Sequence, residues 1–434
     1  MAGDLAEAAK KQGIKYFLIG FTDLFGTMRA KLVPAAAIAD MQKAGAGFAG
    51  FAINFDMTPA HPDMFAMADG ETLQVLPWKP EVGWVAADLL MEGKPIEQSP
   101  RHILKRVRQK AAKLGYRMMT GVECEYFLVT RDGQAIADAD DRQDKPCYDQ
   151  SALMRRYEVV AEICDGMGKL GWGPYQNDHE DANGQFEMNW HYSECLTTAD
   201  RHAFFKFMVK SIAEKHGQRA TFMPKPFANL TGSGCHAHVS LWSADGKRNL
   251  FADGKGELGL SRLAYQFLGG VLHHADALVA FTNPTVNSYK RINAPVTRSG
   301  ATWAPNTITY AGNNRTHMVR IPEPGRFELR LPDGAANPYL MQAAILLAGL
   351  DGIEHARDPG KRLDIDMYSE GDKVRARRLP LNLLDALRNL EKSKLFRDGF
   401  GTEVIASYAK LRMADWQNYM RHLSEWERAN TLDV

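Results

Sequence analysis

Residues 120–128 read TGVECEYFL, a run whose composition is that of a β-strand. Side chains two apart on a strand share a face, so Glu123 and Glu125 are expected to point the same way. Two carboxylates side by side on an apolar strand repel unless a cation sits between them, although a pair of this kind alone also suits a solvated edge strand. Three further segments repeat the theme. HEDANGQFEMNW, 179–190, sets Glu180 and Glu187 around a turn-like Asp181–Gly184. TGSGCHAHVSLW, 231–242, puts His236 and His238 on one face of a strand after a glycine-rich turn. FELRLPD, 327–333, puts Glu328 and Arg330 on one face of another. Acidic and imidazole groups gathered on one sheet face call for a divalent metal, and an oxygen-rich set with one imidazole fits Mg²⁺ or Mn²⁺ better than zinc.

A cationic set accompanies these. NSYKRINAP, 287–295, offers Lys290 and Arg291; NNRTHMVRIP, 313–322, offers Arg315 and Arg320; Arg326 and Arg330 follow. Any one of these arginines could be a surface ion pair. Together, beside metal-binding carboxylates, they suggest phosphoryl transfer, in which cations neutralise a migrating phosphate.

The rest of the chain bounds the answer. Its 434 residues allow a small domain and a large one; 45% are apolar and 24% charged, as in folded globular proteins. Lys+Arg is 53 and Asp+Glu 52, a net charge of +1, so no broad basic face for nucleic acid is expected. Five scattered cysteines make neither a disulfide framework nor a Cys-x-x-Cys pattern, which suits a reducing, cytoplasmic compartment. No signal peptide and no membrane span are expected. Gly45–Gly50 matches G-x-G-x-x-G, but a helix-like stretch precedes it and a strand-like one follows, the reverse of a dinucleotide fold; no P-loop is present.

Residues 1–98 read as a small α+β unit: a helix ending at Gly13, a hairpin across 16–34 around Asp23–Gly26, a helix over 35–44, and two later strands. EGKPIEQSP, 92–100, reads as a linker. Residues 99–434 read as one larger domain, with helices near 102–115, 151–170, 198–216, 257–282, 336–356 and 380–395.

In the order and content of these motif blocks, across 120–339, the chain resembles the glutamine synthetase superfamily. The resemblance implies an α+β fold: a small N-terminal β-grasp domain and a large catalytic domain shaped as an α/β funnel. It implies ATP, Mg²⁺ (or Mn²⁺), L-glutamate and a small amine as ligands. It also implies a homo-oligomer, a dodecamer of two stacked hexamers with sites between subunits. By motif, Glu125, Glu180 and Glu187 resemble the ligands of one metal; Glu123, His236 and Glu328 those of the metal bridging the ATP phosphates. Arg315 and Arg320 resemble phosphate-stabilising arginines; His238, Ser240 and Arg326 nucleotide contacts; Gly232, Arg291 and Arg330 glutamate contacts. The implied reaction makes γ-glutamyl phosphate and then a γ-glutamyl amide.

Two departures from the family's pattern bear on the amine. NSYKRINAP lacks the glutamate that family members carry on the loop after this motif. FAGFAI, 48–53, has Ala49 and Phe51 where they carry an aspartate and a serine. A less anionic, more apolar site favours an alkylamine over ammonium, so the chain looks like the γ-glutamylmethylamide synthetase branch, with ammonia-using glutamine synthetase as the alternative and a non-catalytic assembly protein of the same fold as a remote one. Ala49, Phe51 and Phe55 are the expected desolvating groups and Asp56 the nearest candidate base.

Overall fold

The structure, a computed structural model, describes residues 3–297 and 299–434. The first helix, Leu5–Gln12, starts where Asp4 accepts from the amides of Ala6 and Glu7, and stops at Gly13, whose φ of 70° suits a left-handed cap. The expected hairpin follows as β1 (Tyr16–Thr22) and β2 (Met28–Pro34). Its turn is built on Asp23, which accepts from the amides of Phe25 and Thr27 and from the Arg29 guanidinium. β3 (Ala46–Phe48), β4 (Met64–Ala68), β5 (Gln74–Val75), β6 (Val82–Met91) and β7 (Lys94–Pro95) complete a seven-stranded sheet ordered β2-β1-β6-β4-β3, with β5 and β7 also on β6. The segment read as a linker therefore folds back: Lys94 and Pro95 pair with β6 before the helix Pro100–Lys113 begins.

Two more sheets carry the larger unit. One has six strands, ordered β12-β8-β14-β17-β16-β15; the other has four, ordered β10-β11-β9-β13. Their members are β8 (Tyr116–Cys124), β9 (Tyr126–Val129), β10 (Pro174–His179), β11 (Gln185–Trp190), β12 (Ser193–Glu194), β13 (Arg219–Thr221), β14 (Cys235–Ser243), β15 (Tyr310–Ala311), β16 (Val319–Arg320) and β17 (Phe327–Leu329). Helices cover them, chiefly Cys195–Lys215 and Pro338–Glu354. The latter is buried nearly all round, so it has no polar face to present. The helix expected over 257–282 breaks at His274, and two C-terminal helices, Thr402–Met420 and Glu425–Thr431, were not anticipated.

One buried cation ties the two units. Arg101 has a side chain only 4% exposed and reaches Asp69 and Asp88 of the first sheet region, both at 2.8 Å, and Asp200 of the helix Cys195–Lys215 at 3.0 Å. Tyr339 donates to the same Asp200 carboxylate at 2.7 Å. Removing a partner from such a network leaves an uncompensated buried charge, a cost of about 3–5 kcal/mol. Among the described residues, no helix is long and apolar enough to cross a membrane.

Candidate functional site

The segment TGVECEYFL is not one continuous strand. β8 belongs to the six-stranded sheet and β9 to the four-stranded sheet, and the chain changes sheets at Glu125. The reason is local: the Glu125 amide donates to the Gly234 carbonyl at 3.1 Å, and its carboxylate accepts from the Gly234 amide at 2.7 Å and from Gln185 Nε2 at 3.1 Å. A Cβ at Gly234 would stand 2.6 Å from His236 Nε2 and 2.9 Å from Arg291 Nη2, so a side chain there would displace one or both of these groups. Glu125 is thus clamped in the seam between sheets. Glu123, two residues earlier, faces the same cavity, as the strand spacing predicts.

The hairpin of β10 and β11 brings the next carboxylates. Its turn holds Glu180, and β11 holds Glu187 opposite Asp178. Asp141 braces the turn, accepting from Gly184 N at 2.6 Å and Asn183 Nδ2 at 2.8 Å. The His179 ring lies between Asp141 (2.7 Å) and the Glu180 carbonyl (2.9 Å). Carboxylate oxygens of Glu125, Glu180 and Glu187 consequently lie within 4.8 Å of one another.

On the opposite wall the ladder aligns His236 with Glu123, and both His238 and Arg320 with Glu328. His236 Nδ1 is 3.4 Å from Glu123 and 3.5 Å from Glu328; His238 Nε2 is 2.8 Å from Glu123. Arg320 donates to one Glu328 oxygen at 2.8 Å and Arg330 to the other at 2.5 Å. Among the described residues, the buried Arg330 Nε has no hydrogen-bond partner.

The two walls differ in charge. Burial raises the Glu180 and Glu187 carboxyls well above the usual range, and neighbouring carboxylates push the same way; Glu125 rises to about 7. Burial also opposes ionisation at Glu328, yet Arg330 and the two histidines overrule it and bring that carboxyl down to about 2. Burial and Arg330 lower His236 to about 4, leaving a neutral imidazole able to ligate. The donor set fits a divalent cation: three repelling oxygens in one group, and carboxylates with imidazoles in the other.

Two cavities meet at Glu123. The first, of about 410 Å³, is lined by the carboxylates together with Arg315, Arg320 and Arg330. The second, of about 390 Å³, holds His238, Ser240 and Arg326, with Trp190, Tyr192 and Trp242 as an apolar wall. Ser240 accepts from Trp242 Nε1 at 3.0 Å, and Arg326 bonds His238 and Glu323. Two expected substrate contacts line neither cavity. Arg291 is buried and spends its guanidinium on the carbonyls of Leu331 and Arg330, and Gly232 gives its carbonyl to Gln185. Conversely, the first cavity contains Tyr148, Asp178, Asp181, Thr231 and Trp303, which sequence reasoning passed over. The run Asp178-His-Glu-Asp181 was the available signal, since both aspartates flank a residue already singled out.

The expected amine-facing groups of the N-terminal unit are differently placed. Phe55 is fully buried, with its ring 6.2 Å from that of Phe21, so it packs the core. Asp56 is paired with Lys410 at 2.6 Å, which removes it as a free base. Ala49 and Phe51 are exposed and line neither cavity of their own chain.

Buried carboxylates that only a cation can reconcile, set opposite arginines, define a protein built for metal-assisted phosphate chemistry. The family described as glutamine synthetase, catalytic domain, matches residues 97–431. A glutamine synthetase of Rhizobium meliloti (strain 1021) is 62% identical over the full length of both chains. A glutamate–methylamine ligase of Methyloversatilis universalis is 42% identical over 96% of each chain. A solved GmaS/ADP complex superposes with a TM-score of 0.97 at 65% identity, covering 100% of both chains. The chain belongs to the glutamine synthetase family, whose members are ATP-dependent carbon–nitrogen ligases that use divalent metal.

Proposed function

We propose that the protein joins L-glutamate to a small primary amine, methylamine in preference to ammonia, with ATP activating the γ-carboxylate as γ-glutamyl phosphate. The observation that carries the amine choice is the loop after the helix Val286–Ile292. Residues 294–303 contain no carboxylate. Among the loop's described residues, hydroxyls meet the site: Thr297 to Thr231 at 3.2 Å, and Ser299 to Asp181. Trp303 lines the cavity beside it. An aromatic wall with hydroxyls suits an alkylammonium headgroup, through apolar contact and cation–π attraction. The likeness to the glutamate–methylamine ligase and to the GmaS/ADP complex supports the same reading.

Glu125, Glu180 and Glu187 would hold one cation and Glu123, His236 and Glu328 a second. When bound, divalent ions neutralise the phosphate charge that develops during transfer. The chain's own part is positioning. Arg315 and Arg320 face the cavity where the γ-phosphate would transfer, and the unpartnered Arg330 Nε offers a donor for a glutamate carboxylate. His238, Ser240 and Arg326, with the apolar wall of the second cavity, would seat the nucleotide. Domains divided at 98/99 and a dodecamer of two hexamers are part of this proposal; exposed Phe51 and Trp426 are apolar groups that a neighbouring subunit would cover.

The test is direct competition of methylamine and ammonia under saturating ATP and glutamate. A methyl group in a fitted pocket is worth about 1–3 kcal/mol, so kcat/KM should favour methylamine by roughly ten- to two-hundred-fold. Ammonia used equally well or better establishes the second reading, glutamine synthetase, for which the 62% identical relative speaks.

A further inference from the structure

Behind the strands that carry Glu123, Glu125 and His236, Cys124 of β8 stands directly opposite Cys235 of β14. Because the Glu125 amide bonds the Gly234 carbonyl, the 125–234 pair is a hydrogen-bonded one. Alternation along an antiparallel ladder makes 124–235 a non-hydrogen-bonded pair, the kind whose side chains come closest, with Cα atoms about 4.5 Å apart. The helix Cys195–Lys215 packs on this side and brings His202 Nε2 to 3.8 Å from Cys235 Sγ. Two sulfurs and an imidazole nitrogen thus lie within 4.8 Å of one another, on three residues that are all 0% exposed.

Ordinary packing accounts for the cysteines, which behave as small apolar residues. It does not account for His202. Its Nε2 meets only weak thiol neighbours, where a cation would give it a strong partner, and among the described residues its Nδ1 has no hydrogen-bond partner. Buried polar groups are nearly always satisfied, and leaving one bare is costly.

We propose that Cys124, Cys235 and His202 form a separate metal site for a soft, thiophilic cation of the zinc class. Two thiolates and a neutral imidazole match such an ion in donor type, and a dication cancels the thiolate charge without leaving net charge in the core. On binding, each thiol gives its proton to solvent as its sulfur bonds the metal; no electron is transferred. The strands would then sort cations by face: oxygen donors toward the reaction cavity for hard ions, sulfur and nitrogen donors behind it for a soft one. Occupancy would staple β8 to β14 next to Glu123, Glu125 and His236.

The test uses the full-length protein, reduced, stripped with chelator and kept in excess Mg²⁺, titrated with Cd²⁺ as a spectroscopic probe. One cadmium per chain is expected, with thiolate-to-metal charge-transfer absorption in the ultraviolet. The Cys124→Ser/Cys235→Ser variant should lose that band, and His202→Gln should bind about tenfold more weakly or worse. In a Cys147→Ser/Cys164→Ser/Cys195→Ser variant, Cys124 and Cys235 are the only thiols, so the band must persist even if the double variant fails to fold. A silent triple variant, a band that survives in the double variant, or loss of two thiols to a disulfide without cadmium uptake each overturns the site.

Discussion

The two walls of the reaction cavity hold carboxylates at similar depth and treat them oppositely. Glu125, Glu180 and Glu187 face one another across the sheet seam, and burial and mutual repulsion resist their ionisation. Glu328 is equally buried, yet Arg320 and Arg330 grip both its oxygens and keep it ionised. Burial alone therefore does not decide a carboxylate's state; the partner that the chain supplies does. On one wall the chain's own arginines hold the carboxylate ionised; on the other, burial and neighbouring carboxylates work against ionisation.

The largest effect that this difference predicts is at Glu328. Glu328→Ala leaves the buried Arg330 and the partly buried Arg320 without their shared counter-ion, which should destabilise the fold by about 3–5 kcal/mol. It should also lower kcat about 10²–10³-fold, as loss of one electrostatic stabiliser does. Near-normal turnover at saturating Mg²⁺ would remove Glu328 from the site.

Next is Arg330→Lys, which keeps charge and loses the fork. A charge-assisted hydrogen bond is worth about 1.5–3 kcal/mol, so KM for glutamate should rise roughly ten- to a hundred-fold while KM for ATP holds. A rise in KM for ATP alone would move Arg330 to the phosphate side.

The walls should also differ in pH dependence when divalent ions are chelated. Glu125 ordinarily ionises at 4.5 and does so at about 7 in the folded chain, so its contribution to stability is full below 4.5 and is lost as pH rises through 7. Glu328 behaves inversely: its contribution is full above 4.5 and is lost as pH falls through about 2. Urea denaturation in chelator should show stability falling from pH 4.5 to 7, by up to about 1.4 kcal/mol per pH unit for each proton involved. Excess Mg²⁺ should flatten that slope, and a slope unchanged by Mg²⁺ would deny the cation its place on this wall.

The smallest effect separates the walls most cleanly. Glu187→Gln removes repulsion from the trio, so in chelator the variant should equal or exceed the parent, by about 1 kcal/mol, in the reverse sense to Glu328→Ala. Adding Mg²⁺ should stabilise the parent more than the variant, which keeps only the donors around Glu123, His236 and Glu328 intact. Calorimetric scans with and without the ion would show it, and a marked loss of stability in chelator would break the contrast.

Much of this was legible because strand spacing is rigid. The period of two placed Glu123 with Glu125 and His236 with His238 before any fold was known. Reading 120–128 as one strand failed because the break at Glu125 depends on Gly234, more than a hundred residues away. Asp56 and Phe55 were misjudged for a related reason: Lys410 and Phe21, which occupy them, are partners that spacing does not reveal. The C-terminal helix Glu425–Thr431 had its local sign, the capping box of Ser424 and Glu427, in plain view.

The change of sheet at Glu125 has a kinetic consequence. Neither sheet contains the carboxylate trio's full support alone: Glu187 hangs on the four-stranded sheet, and Gly234, which clamps Glu125, leads into the six-stranded one. During refolding each sheet can form its own ladder first, but the cation pocket exists only after the two have docked. Acquisition of metal affinity would then mark the final assembly event, and a chain arrested earlier would have native strands and no grip on Mg²⁺.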